Sequence, residues 1–409
     1  MEPVAITGLG VISSIGQDVS TFCDNLMAAK AAVGPTPWNN EEGMENVWIS
    51  LVDGFEPLDW MEERVAAGTD PFAQYLIAAA VQAVEASGID EFDPFRTGVV
   101  MGTCQSGAES LCEAQQGYDE RGIEGVPRKL QIMAWPNMAA GQISLRWGLH
   151  GPLLTVSTAC ASSVDAMGVA ARMINAGQAD VIIAGGGDRA RSLIATLSAG
   201  LYGMYTRQPD PALACLPFDI KRNGIMGGEG AGVVILESAE HAAKRGAHVH
   251  GYIRGYGQMA DATHPSSPEP NGKYEAMTMQ MAIKDAGLPG GAADVDGVVA
   301  HGTATTIGDT AEIRAINSLH RERDTTLRVA SVKGHVGHTV SAAGAMNLMA
   351  ALRSMEIDAF VPTAGTTEVD PEAEFEVVTR QPSEGPVNVV QVNGFGFGGQ
   401  NASLIVTRA

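Results

Sequence analysis

Cys160 lies in TVSTACASSVDAMGVAARMI (155–174), after a short apolar strand and ahead of a helical pattern. A strand-to-helix turn exposes one side chain sharply, and the small residues Ala159, Ala161, Ser162 and Ser163 leave room beside it for a reactant. A thiol at a helix N-terminus feels the positive end of the helix dipole, which favours thiolate. Thiolate attacks thioesters and then serves as a good leaving group. In AHGTATTIGDTAE (300–312), His301 stands at a strand exit before Gly302, with Asp309 and Glu312 in the first turn of the next helix. SVKGHVGHTVSAAG (331–344) places Lys333 and His338 in the same way, with His335 as a turn residue. NGFGFGGQNAS (393–403) sets four glycines around Phe395 and Phe397. Such a backbone approaches a ligand closely and presents bare N–H groups, as an oxyanion hole requires.

Strands and helices must carry these residues. Short apolar β-runs alternate with longer helical patterns, which is the α/β signature. Strands are expected at 4–12, 97–103, 179–188 and 230–238, with helices at 72–87 and 161–176. A similar order restarts after residue 240. Strands fall near 249–257, 295–303 and 328–332, helices near 272–286, 309–319 and 341–355, and a closing strand pair at 387–399 and 402–407. The reading is a pseudo-duplicated α/β chain, with halves 1–240 and 241–409. The segment 35–66 is irregular and acidic and reads as a solvated excursion.

Composition narrows the function classes. With 26 Lys and Arg against 47 Asp and Glu, the formal charge is −21, which argues against a nucleic-acid binder. Basic runs that would seek an anionic membrane are scarce, and no apolar run approaches the roughly 18 residues that span a bilayer. Five cysteines without CxxC or Cys/His ligand spacing argue against a zinc site or disulfide framework. The N-terminus lacks signal-peptide features, so a soluble cytoplasmic protein is expected. Glycine is in excess, 49 of 409 residues, or about 12% against a usual share of about 7%. That excess fits a compact site built from loops.

Taken together, the motifs resemble those of the β-ketoacyl synthase family, the condensing enzymes of fatty acid and polyketide synthesis. VAITGLGVISSIG resembles the opening strand, and TACASS, PFDIKRNGIMGGEGAGVVILE (217–237), HGT, KxxxGH and GFGG follow in family order. The resemblance implies a thiolase-like fold, with two related halves in a five-layered α/β/α/β/α body, usually a dimer. It implies that Cys160 takes an acyl chain from an acyl carrier protein. His301 and His338 would polarise a malonyl thioester and assist loss of CO₂. Lys333 would hold the histidines, paired with Glu312. The N–H groups of Cys160 and Phe397 would form the oxyanion hole. Phe397, with Phe395 and Gly398 around it, would gate the acyl pocket. Enolate stabilisation by neutral imidazole N–H donors needs no metal and no cofactor.

Some positions depart from the family pattern. Asn347 stands where many members carry a glutamate behind the Lys/His network, and Gly334 and His335 replace more usual residues. Gln105 lies where a β-branched residue often closes the acyl pocket, which suggests a shorter or polar chain. Arg128, Lys129 and Arg207 match one part of the basic carrier-docking patch, whereas AAGT (66–69) lacks the other part. Together these departures tilt the reading to a specialised type II polyketide or polyene pathway over primary fatty acid elongation. A thiolase would need a second Cys in the C-terminal Gly loop, and none occurs after Cys215. A chain-length factor would have lost the nucleophile. A catalytic subunit working as a heterodimer with such a partner stays open beside a homodimer.

Overall fold

The computed structural model describes residues 1–321 and 325–409. Eleven strands form one mixed sheet: β1 (Val4–Ile12), β2 (Thr97–Gly102), β3 (Leu153–Val156), β4 (Val181–Asp188), β5 (Gly230–Ser238), β6 (Gly251–Ala260), β7 (Gly297–Val299), β8 (Arg328–Ala330), β9 (Glu376–Val377), β10 (Val389–Gly396) and β11 (Gln400–Thr407). Their spatial order is β9-β8-β7-β10-β11-β6-β1-β5-β4-β2-β3. The first five strands therefore run 3-2-4-5-1, and the strands from β6 repeat that order with β9 added at the edge. Parallel and antiparallel pairings repeat as well. β2 is parallel to β3 and β4, and β7 is parallel to β8 and β10. β5 is antiparallel to β4 and β1, and β11 is antiparallel to β10 and β6. The two groups meet through a short antiparallel contact, Val4↔Ile253 to Ile6↔Gly251.

Seven helices matter for the site: α1 (Pro71–Ser87), α2 (Met138–Trp147), α3 (Ser162–Asn175), α4 (Leu193–Leu201), α5 (Lys273–Ala286), α6 (Thr306–His320) and α7 (Ala343–Ile357). α1 and α2 pack on the first strand group, α5 packs on the second, and α6 joins the same apolar cluster as α5 through Ile313 and Ile316. α3 and α7 lie between, each touching strands of both groups. The expected five-layered α/β/α/β/α arrangement is thus present. Strands covered on both faces lose the in-out alternation, so β1 is buried along its whole length and reads as a plain apolar run.

Local chemistry sets the element ends. The Asp70 side chain accepts the Phe72 N–H at 2.9 Å, Pro71 opens α1, and Gly88 ends it in the left-handed region. Such a cap is worth about 1 kcal/mol. Between the two inner helices there is no spare volume. A Cβ on Gly344 would stand 2.4 Å from Val164 Cγ2 and 2.8 Å from Ser163 Oγ.

Three features differ from the sequence reading. α4 exposes Ile194 and Leu201 while burying Thr196 and Gly200, so its apolar residues do not mark its buried face. A helix at Ala108–Arg121 was likewise missed, because its burial is slight and its surface mostly polar. The segment 35–66 is irregular with exposed acids as expected, yet it inserts Met44, Val47, Ile49 and Val52 into the body. Its strand Trp48–Ser50 pairs with Gly227–Gly228.

Candidate active site

Strand β3 leads through Thr158 to Ala159, whose φ of +49° is a conformation that side chains other than glycine rarely adopt. Ala159–Ala161 make one tight turn and α3 starts at Ser162. The Ser162 hydroxyl locks this turn, donating to Ala159 O at 2.6 Å and accepting the Thr158 N–H at 2.9 Å. Cys160 is left at the apex, half-buried, in a cavity of about 690 Å³.

His301 reaches the same cavity from the end of β7. Its N–H and that of Gly302 donate to the two Glu312 carboxylate oxygens at 2.8 and 2.7 Å, so Glu312 fixes the loop. Asn393 Nδ2 donates to Glu312 Oε1 at 3.1 Å. Lys333 is 1% exposed, and its ammonium donates to His301 Nδ1 at 3.3 Å and to the His301 carbonyl. An ammonium can only donate, so the His301 proton must sit on Nε2. His338 Nδ1 accepts the Val340 N–H at 3.2 Å, which places its proton on Nε2 also. The two rings stand 5.5 Å apart and nearly perpendicular. One ligand-type atom each from Cys160, His301 and His338 lies within 4.8 Å of the others. A thiol and two imidazoles are also donors that a soft divalent ion accepts.

Electrostatics hold both imidazoles neutral. Burial pushes His301 well below the usual histidine range, helped by the Lys333 charge and by His338. Burial and Lys333 do the same to His338. The thiol behaves differently from the sequence expectation. Burial pushes Cys160 up to about 11 and the Asp188 carboxylate adds to this, while Lys333 and the N–H groups of Phe397 and Cys160 pull it down. Desolvation therefore outweighs the helix dipole in the resting site. The same two N–H groups favour negative charge beside the sulfur, as an oxyanion hole would.

Phe397 is 45% exposed at the cavity wall, between Gly396 and Gly398. A Cβ on Gly396 would stand 2.8 Å from Thr158 O and 3.1 Å from Cys160 N, so only glycine lets this strand pass Cys160. Gly398 takes φ +83° and its N–H donates to Pro265 O at 2.7 Å. Phe395 lines the same cavity more deeply. It is 7% exposed, and its ring centre lies 5.9 Å from that of His301 as a packed wall.

Other expected residues divide. Lys333 and Glu312 attract through space but form no direct ion pair, because the Glu312 oxygens are taken by backbone N–H groups and Asn393. Gln105 lines the cavity and its N–H donates to Asp188 Oδ1 at 2.9 Å. Asn347 donates to Ala300 O and Asn393 O behind the histidines, without touching Lys333. Arg128 and Lys129 are exposed. Lys129 Nζ comes 3.8 Å from where a Gly68 Cβ would stand, so the AAGT segment adjoins it. Arg207 is exposed, but its guanidinium is tied to the carbonyls of Gly43 and Gly200.

Sequence reasoning missed Asp188, which is 1% exposed at the end of β4. It accepts from Thr103 Oγ1, the N–H groups of Cys104 and Gln105, and Ser341 Oγ and N–H. It thereby joins the Gln105 wall to the segment after His338. The only signal was an acid ending an apolar strand in AGGGD.

Fold and site together define a cysteine-based condensing enzyme of the acyltransferase type. Family descriptions match in two stretches, the β-ketoacyl synthase N-terminal domain over residues 1–242 and the C-terminal domain over 250–367. The chain belongs to the β-ketoacyl synthase family. It is 35% identical to 3-oxoacyl-[acyl-carrier-protein] synthase 2 of Vibrio cholerae, over 99% of each chain. The ishigamide ketosynthase/chain length factor structure superposes with a TM-score of 0.91 at 31% identity, covering 100% of this chain and 99% of the other. A type II polyketide ketosynthase, solved with its acyl-carrier protein and bound to the hexaketide, gives a TM-score of 0.90 at 25% identity over 100% of each chain.

Proposed function

We propose that this chain performs decarboxylative condensation on carrier-bound thioesters. Cys160 takes the acyl group from one acyl carrier protein, and its thiol proton goes to the departing carrier thiolate. Malonyl carrier then enters, and the Nε2–H groups of His301 and His338 donate to its thioester oxygen as CO₂ leaves. The resulting enolate carbon attacks the Cys160 thioester, whose oxyanion is held by the N–H groups of Cys160 and Phe397. Collapse expels the Cys160 thiolate and forms the β-ketoacyl carrier. Lys333 and Glu312 are positioning residues for His301, and Phe397 with Gly398 serves as the gate. The observation that carries this reading is the approach of one thiol and two imidazoles, both protonated on Nε2, within 4.8 Å. Mass spectrometry of Cys160 after incubation with a panel of acyl carriers tests it. Absence of any acyl adduct would overturn it.

The specialised polyketide or polyene side is favoured by Gln105 in the cavity wall and Asn347 in place of a charged group. Carrier docking would rest on Arg128 and Lys129, with Arg207 contributing less because its donors are engaged. The repeated strand order supports halves at 1–240 and 241–409. A dimer, with a second copy or a chain-length-factor-like subunit, is supported by the edge strand β3. There Leu153 is 53% and Leu154 39% exposed, as at a sheet edge awaiting a partner. No described helix is long and apolar enough to cross a membrane. The five free cysteines fit a reducing, cytoplasmic compartment.

A further inference from the structure

Glu275 stands in the first turn of α5 and lines the same cavity as Cys160 and His301, at 3% exposure. Gly272, just before the helix, packs against α6 so closely that a Cβ would meet Ala311 O at 2.1 Å. This contact presses the start of α5 toward Asp309 and Glu312. Among the described residues Glu275 has no ion-pair partner, and its Oε2 is buried with no hydrogen bond. Asn401, the second residue of β11, lines the cavity too, at 3% exposure. Its Nδ2 is likewise buried with no hydrogen bond. Buried polar groups are ordinarily partnered, and leaving one bare costs free energy that a ligand can recover. Two bare groups in the wall of one cavity are thus an unfilled recognition element.

The chemistry of the pair selects what fills it. Burial and the neighbouring carboxylates of Glu312, Asp261 and Asp309 push the Glu275 carboxyl well above the usual carboxylate range, in the direction of its neutral form. A protonated carboxyl donates through O–H and accepts through C=O, and the Asn401 amide donates. An anion would meet the surrounding acids, and an alkyl chain would leave both groups unsatisfied. A neutral group that both donates and accepts, a secondary amide or a hydroxyl, satisfies them.

We propose that Glu275 and Asn401 form a polar subsite that takes an amide or hydroxyl group of the thioester substrate. This rests on the condensing reading above. The matching group can come from the amide-bearing carrier arm or from the acyl chain, and the choice of thioester separates the two. Acylation of Cys160 is followed by intact mass for wild type, Glu275→Gln, Glu275→Leu and Asn401→Ala. The probes are octanoyl pantetheine, octanoyl propanethiol thioester, and the same pair carrying ω-hydroxyoctanoyl. Glu275→Gln keeps a neutral donor and acceptor and should stay near wild type. Glu275→Leu should lose about tenfold in kcat/KM, through KM, for substrates that carry the recognised group. Loss on both pantetheine esters but neither plain propanethiol ester assigns the arm. Loss confined to the ω-hydroxy chains assigns the acyl group. Equal loss on all four probes, or none on any, overturns the subsite. If Glu275→Leu fails to fold, Asn401→Ala and the wild-type preference among the probes decide by the same pattern. No acylation of wild-type Cys160 by any probe would instead defeat the condensing reading itself.

Discussion

Lys333 Nζ stands 3.3 Å from His301 Nδ1, a buried ammonium donating to a buried imidazole. That contact places the His301 proton on Nε2, and the Lys333 charge together with burial favours the neutral ring. Lys333→Met should therefore lower CO₂ release from malonyl carrier by about 100-fold, the scale of losing one oxyanion donor. With the positive neighbour gone, the His301 pKa rises, so the acid limb of the pH–rate profile should move to higher pH. Labelled-malonyl decarboxylation across pH 5 to 9 checks both effects.

Cys160→Ala should abolish acyl transfer, since no other group stands at the turn apex. Cys160→Gln should leave a malonyl decarboxylase, because Gln fills the acyl site without attacking while His301 and His338 stay in place. Mass spectrometry of the acyl adduct and a CO₂ assay separate the two. No CO₂ from the Gln variant would count against the histidines working independently of the thiol.

Burial holds Cys160 up near 11, with Asp188 contributing. Iodoacetamide labelling of Cys160 should therefore be slow at pH 7 and climb steadily toward pH 10. Asp188→Asn removes a charge that raises the thiol pKa, and the labelling curve should shift to lower pH. An unmoved curve would sink the electrostatic role of Asp188.

Three buried histidines, His301, His335 and His338, have pKa values lowered by burial. Below their ordinary value of about 6.5, the unfolded chain binds protons that the folded chain refuses. Stability should then be lost as pH falls from about 7 toward 5. Asp309 acts in the opposite sense. Its pKa is raised to about 6, so the folded chain binds the extra proton and stability falls as pH rises from about 4 to 6. Urea midpoints for wild type and His335→Gln across that range check the histidine share. His335 is chosen because it does not line the Cys160 cavity, and its contacts with the carbonyls of Lys30 and Pro362 offset only part of the lowering by burial.

Gly344→Ala would drive a methyl to 2.4 Å from Val164 Cγ2 between α3 and α7. Overpacking of this kind costs about 1–3 kcal/mol. Because α3 follows directly on the Cys160 turn and α7 follows His338, activity should fall along with the denaturation midpoint.

Much of this was legible beforehand because it is written locally. Cys160, His301, His338 and Lys333 sit in short Gly-rich motifs at strand exits, and the element order follows from apolar periodicity and glycine stops. Boundaries moved by a few residues where caps intervened, as when Thr305 rather than Asp309 opened α6. α4 was hidden because its large apolar residues Ile194 and Leu201 are exposed while Thr196 and Gly200 are buried. What depends on neighbours distant in the chain was decided only by the tertiary structure. The thiol is raised and not lowered because enclosure by several elements desolvates it more than its own helix stabilises it. The His301 tautomer is set by a partner that no local spacing reveals, the Lys333 ammonium, whereas the His338 tautomer is set locally by the Val340 N–H. Phe395 and Phe397 are two residues apart, and their different exposure, 7% and 45%, arises because Phe395 lies within β10 whereas Phe397 lies beyond its end, in the glycine-rich turn. Glu275 and Asn401, far apart in sequence and without chemical motif, became neighbours of the site through the packing of α5 on α6 and β11.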